Sequence, residues 1–134
     1  MTMRVGLVGE VTRTVDDGML ATSVGSGGLE VLSTPSMIAL MEGAARQAVE
    51  SLLADGQTTV GVRVDVRHLA ATPNGAEVRA RAELVEIDGR RLVFQVEAFD
   101  TREKIGEGTH HRAIVDPDRL LARAIAKLGS ARLI

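Results

Sequence analysis

"SMIALMEGAARQAVESLLA", Ser36 to Ala54, is a run of strong helix formers with apolar residues on most of its circumference. A helix with so little polar face belongs at the centre of a fold, so the rest of the chain has to wrap around it. Ser33 or Thr34 can cap its first turn, and Pro35 suits the first helical position, where a missing N–H costs nothing. Gly56 is the expected stop.

Downstream of this helix the chain is mostly strand. Thr58 to Ala70 alternates, with Val60, Val62, Val64 and Val66 in one series that ends on His68. Ala76 to Ile87 puts Val78, Ala80, Ala82 and Leu84 on one face and Glu77, Arg79, Arg81 and Glu83 on the other. "DGRR" (Asp88–Arg91) reads as a tight hairpin turn into a strand over Leu92 to Asp100. Lys104 to Val115 makes the last long strand. A short amphipathic helix then starts at Asp116-Pro117 and carries Leu120, Leu121, Ile125 and Leu128.

Upstream, Glu10 to Val24 reads as two weak strands broken by a hairpin turn at "DDG" (Asp16–Gly18), and "GSGGLE" is a flexible link to the helix. The sum is an α+β chain in which one antiparallel sheet wraps a long central helix, with a short C-terminal helix. That is the hot-dog fold; a cystatin-like sheet is the structural alternative. Residues 1–134 fit a single domain. The exposed sheet edge calls for a second copy, so a homodimer is expected.

Composition removes several functions. Phe94 and Phe99 are the only aromatics, too few for base-stacking platforms, and a net charge of −2 supplies no field for nucleic acid or acidic membranes. Without cysteine there is no disulfide, thiolate nucleophile or cysteine metal site. His68, His110 and His111 are the only histidines, and adjacent strand residues face opposite ways, so no three-histidine metal site is expected. "MTMRVGLVGEVTRT" lacks the long apolar stretch of a leader, and no apolar run approaches the ~20 residues of a membrane span, so a cytoplasmic protein is expected.

Two polar residues interrupt this apolar interior. His68 shares the valine series that faces the helix, and Glu42 lies on the helix among Ala39, Gly43, Ala44 and Ala45. Each alone has an ordinary explanation, a satisfied core histidine or a snorkelling carboxylate. Converging on one sheet–helix interface, they suit a general base or a carboxylate nucleophile. Gly43 costs the helix roughly 1 kcal/mol relative to alanine, as if something had to approach the backbone there. Thr34 is a helix cap or a third site residue. It stands about 12 Å from Glu42 along a straight helix, so a site using both folds Thr34 back or draws on two protomers.

The segments "VLSTPSMIALMEGAARQAV", "GVRVDVRHLAATPNGAEVRARAELVEIDGRRL" and "EKIGEGTHHRAIV" resemble the fluoroacetyl-CoA thioesterase family from about Val31 to Val115. Its most specific pieces are "LMEGA", "RHLAATP" and "IGEGTHHRA". The resemblance implies hydrolysis of an acyl-CoA thioester to a carboxylate and free CoA, in a homodimer. No cofactor is implied; coenzyme A is part of the substrate. Thr34, Glu42 and His68 match the family's catalytic threonine, glutamate and histidine. Gly61 matches a glycine whose backbone lies close to the thioester, and Arg112 an arginine near the acyl and CoA pocket. The family's fluoroacetyl-specific member carries an aromatic lid residue where this chain has Gly28, and an aromatic after the glutamate where it has Gly43. Without that lid, a small or medium acyl-CoA is the expected substrate. A non-catalytic acyl-CoA binding protein of the same fold is the alternative.

Overall fold

The computed structural model describes residues 2–132. Strand β1 (Val8–Thr14) is followed by a 3-10 turn (Asp17–Met19), a single-turn helix α1 (Ala21–Val24) and the central helix α2 (Thr34–Val49). Strands β2 (Thr58–His68), β3 (Glu77–Asp88), β4 (Arg91–Phe99) and β5 (Lys104–Val115) come next, and α3 (Pro117–Arg132) closes the chain. The strands form one antiparallel sheet in the order β1-β3-β4-β5-β2. Among the described residues, no helix is long and apolar enough to cross a membrane.

The expected wrapping is present. Val78, Ala80, Ala82 and Leu84 of β3, and Leu92, Phe94, Val96 and Ala98 of β4, are fully buried. They face Met37, Met41, Ala44, Ala45 and Val49 of α2. With only two aromatics, the core closes by bringing backbones together. A Cβ on Gly9 of β1 would overlap the Ala44 carbonyl oxygen and stand 2.7 Å from the Ala48 nitrogen. The close approach therefore sits at Gly9, not at Gly43, whose added Cβ would meet only Val11 Cγ2 at an ordinary 3.6 Å.

Three local expectations are corrected. The "DDG" segment is not a hairpin: the Asp16 carboxylate accepts the Gly18 N–H at 3.1 Å and caps a 3-10 turn, leaving one strand upstream instead of two. Helix α2 ends at Val49 and tightens into a 3-10 turn (Glu50–Leu52), so Gly56, at φ 76°, serves the turn beyond. The valine series is not one face. A bulge between Gly61 and Arg63 leaves Val62 outside the β2–β5 register. Thr59 and Gly61 face α2 before it, and Val64, Val66 and His68 after it, opposite His110, Gly108 and Gly106. Val60 consequently lies on the outer face.

Helix α2 packs mainly on β1 and β3 and only lightly on β2 and β5. The β2 side of the sheet overhangs the helix, leaving Val62 and Val64 exposed on the outermost strand. The apolar face of α3 is likewise uncovered, with Leu120, Leu121, Ile125 and Leu128 exposed.

Candidate active site

The five residues singled out in the sequence fall into two groups at opposite ends of β2. At the first end, Thr34 Oγ1 lies 2.8 Å from His68 Nδ1. The capping alternative for Thr34 is excluded, because the Ser33 hydroxyl accepts the Ser36 N–H at 3.1 Å and is itself the N-cap. That puts Thr34 at the first helical position with its side chain free to reach the histidine. His68 Nε2 is buried and has no hydrogen-bond partner among the described residues. Burial holds its pKa below the ordinary 6.5, with the Ala70 backbone opposing in part, so the ring is neutral at pH 7. A neutral imidazole on a hydroxyl can accept its proton or orient its lone pair.

Thr34 and His68 line an open cavity of about 380 Å³, whose other walls include Ala21, Ser26, Val31 and Ala71. These are small aliphatic and hydroxyl side chains, with no aromatic among them. Gly28, which falls in sequence between the lining residues Ser26 and Val31, has nothing within 4 Å of an added Cβ.

At the second end, Glu42 points from α2 toward the β2 bulge. Its carboxylate is 40% exposed and lies 3.4 Å from Arg112 Nη1. Arg112 is nearly buried and fully tied down: Nε donates to Thr59 Oγ1 and Nη2 to the Thr59 carbonyl, both at 2.9 Å. Burial works against the guanidinium charge, and Glu42 opposes that loss. His110, also buried, lies 3.1 Å from Arg112 Nη1 and 3.8 Å from Glu42 Oε2. Thr59 and His110 were missed in the sequence. Their signal was the period-2 series Gly106, Gly108, His110, Arg112, which places a histidine on the same inward face as the arginine.

Gly61 closes this end. A Cβ there would stand 2.6 Å from Glu42 Oε2 and 3.2 Å from His110 Cε1. Only glycine lets the carboxylate lie against the strand backbone. The carboxylate is the free end of a flexible side chain and can move, whereas the buried His110 ring must give by a few tenths of an ångström, so Gly61→Ala should displace Glu42 at a modest cost in stability. If Glu42 is the reacting group, misplacing it by an ångström lowers turnover by about a hundredfold, with a modestly lower Tm. Steady-state kinetics alongside thermal unfolding checks this.

The two groups do not meet within one chain. Glu42 and Thr34 are about 12 Å apart along α2, and Gly61 and His68 roughly 20 Å apart along β2. Among the described residues, no group of histidine, aspartate and glutamate could hold a metal ion.

A sequence model for the fluoroacetyl-CoA-specific thioesterases matches residues 15–118. The chain belongs to that family. The fluoroacetyl-CoA thioesterase of Streptantibioticus cattleyicolor is 40% identical over 98 residues, which are 73% of this chain and 70% of the relative. The solved structure of the fluoroacetyl-CoA thioesterase FlK superposes with a TM-score of 0.90 at 33% identity, over 95% of this chain and 98% of that one. A thioesterase superfamily member from Thermus thermophilus superposes with a TM-score of 0.85 at 26% identity, over 96% of each chain. Fluoroacetyl-CoA-specific thioesterases are thioester hydrolases of the hot-dog fold, and this chain is a homologue of that class.

Proposed function

We propose that this thioesterase hydrolyses small or medium acyl-CoA esters, with Glu42 as the group that attacks the carbonyl or activates water to do so. The observation that carries this reading is the Glu42 carboxylate, held by Arg112 against the bare backbone of Gly61, where it is still 40% open to solvent and substrate. A backbone N–H at the bulge, aided by Arg112, stabilises the oxyanion; losing one such donor typically costs about 3 kcal/mol of barrier. His68 and Thr34 orient the water, and the proton it loses on attack, taken up by Glu42 or by the neutral His68 ring, passes to the leaving thiolate.

Both groups serve one thioester if the enzyme is a dimer paired through β2. This strand lies at the edge of the sheet, is 11 residues long, and exposes Val62 and Val64. Antiparallel pairing with a second copy brings the Gly61 end of one β2 alongside the His68 end of the other. Each site then takes Glu42, Gly61 and Arg112 from one protomer and Thr34 and His68 from its partner. The orphaned Nε2 of His68 is where that neighbouring chain or the substrate would supply a hydrogen-bond partner.

An open cavity lined by no aromatic, with glycine at position 28 in place of the family's lid, argues against strict selection of one fluorinated two-carbon acyl group. Thiol release measured across acyl-CoAs from acetyl and fluoroacetyl to long chains tests the reading. Turnover of several short or medium chains, with no marked preference for the fluorinated one, is the expected result. No release from any acyl-CoA would contradict it and leave an acyl-CoA binding protein.

A further inference from the structure

His110 is 1% exposed and buried beside Arg112, yet hydrolysis by Glu42, Thr34 and His68 does not use it. Its hydrogen bonds fix its chemical form. Nδ1 lies 2.8 Å from the Arg63 carbonyl oxygen, which can only accept, so Nδ1 carries the proton. In the neutral ring Nε2 then presents a lone pair. Arg112 Nη1, which can only donate, lies 3.1 Å from it. The same Nη1 reaches Glu42 Oε2 at 3.4 Å, so the guanidinium stands between two acceptors that would otherwise face each other at 3.8 Å.

The surroundings favour this neutral form. Burial is the largest influence lowering the pKa; the Arg63 carbonyl and Glu42 oppose it, while the charges of Arg112 and His111 add to it. Phe94 stacks near the ring, with centroids 6.5 Å apart and planes 30° apart, and limits its tilt. Arg63, whose carbonyl takes the proton, is the residue at which the β2–β5 register resumes after the bulge. One imidazole is therefore bonded both to the bulge that shapes the Gly61 backbone and to the arginine that holds Glu42.

We propose that His110 is a positioning residue of the hydrolysis: as the Nδ1–H tautomer it fixes the β2 bulge and the Arg112 guanidinium together, and so sets Glu42 against Gly61. This role rests on the protein being a thioesterase that works through Glu42. A merely structural histidine would fill space and satisfy one carbonyl. The positioning role also requires the acceptor at Nε2, and two variants separate the requirements. In His110→Asn an amide nitrogen near the Nδ1 position can still donate to Arg63, but nothing accepts from Arg112. In His110→Gln an amide oxygen can reach toward the Nε2 position and accept from Arg112.

The experiment combines wild type, Glu42→Gln, His110→Asn and His110→Gln in a thiol-release assay with nitrogen NMR of the labelled imidazoles in the intact protein. The expected spectrum shows His110 protonated on Nδ1 and bare on Nε2. In the assay, kcat per folded enzyme falls about tenfold or more in His110→Asn with KM nearly unchanged, and His110→Gln recovers most of it. Wild-type kcat in His110→Asn, in an enzyme that Glu42→Gln silences, overturns the proposal, as does a His110 ring protonated on Nε2. A wild type with no turnover overturns the thioesterase reading and this role with it, a failure the wild-type assay alone identifies.

Discussion

Glu42→Gln is expected to lower kcat by about a thousandfold or more while leaving the fold intact, because general acid–base or nucleophilic groups supply barrier reductions of that size. Glutamine keeps the length and the amide oxygen that can accept from Arg112 Nη1, so the packing of α2 on the sheet should survive. What it loses is the negative charge and the proton-accepting oxygen. Removing the Glu42 charge leaves the Arg112 guanidinium nearly buried beside Thr59 and His110 with its ion-pair partner gone. The Tm is therefore expected to fall modestly, while circular dichroism keeps its wild-type shape. A near wild-type kcat in Glu42→Gln would move the chemistry to Thr34 and His68 alone.

Gly9→Ala should be the most damaging single change for stability. Its Cβ would overlap a backbone carbonyl, that of Ala44, and crowd the Ala48 nitrogen at 2.7 Å. Backbone cannot swing aside as a side chain can, so α2 has to lift from β1, loosening contacts of Ala44, Ala45 and Ala48. Overpacking of this kind costs about 3 kcal/mol, or about 10 °C in Tm for a domain of this size. Gly43→Ala, one residue before Ala44 on the same helix, is the contrast. Its Cβ makes only ordinary contact, and replacing a mid-helix glycine stabilises by up to about 1 kcal/mol. Thermal unfolding of the two variants beside wild type checks both; equal Tm values would refute the packing account.

How legible these features were in the sequence depended on whether they follow a period. The faces of β3 and β4 are regular, so Val78 to Leu84 and Leu92 to Ala98 read correctly as the wall of the core. The apolar circumference of α2 likewise placed it at the centre. What failed was local geometry that breaks a period. A single extra residue at the β2 bulge moved Val60 to the opposite face while leaving His68 facing inward. An Asp16 side chain turned an apparent hairpin into a capped 3-10 turn. Gly43 drew attention because glycine in a helix is costly, whereas the close approach is made by Gly9, on a strand distant from the helix in sequence. Pairwise juxtapositions across the fold, such as Arg112 on Thr59 and His110 on the Arg63 carbonyl, leave no mark in local spacing. For Thr34, the sequence left cap and site residue both open. The hydrogen bond from the Ser36 N–H gives the cap to Ser33, and Thr34 bonds His68 instead.

Division of the site between two protomers, with Glu42 from one and Thr34 and His68 from the other, is open to direct measurement. The test is turnover by mixed dimers of Glu42→Gln and His68→Ala subunits, carrying different affinity tags and purified through both. Each homodimer should be inactive. In the mixed dimer one site regains an intact Glu42 and an intact His68 from different chains, while the other site lacks both. About half of the wild-type rate is expected, since one of two equivalent sites is restored. No turnover above that of the inactive homodimers would contradict the shared site and return every reacting group to a single chain.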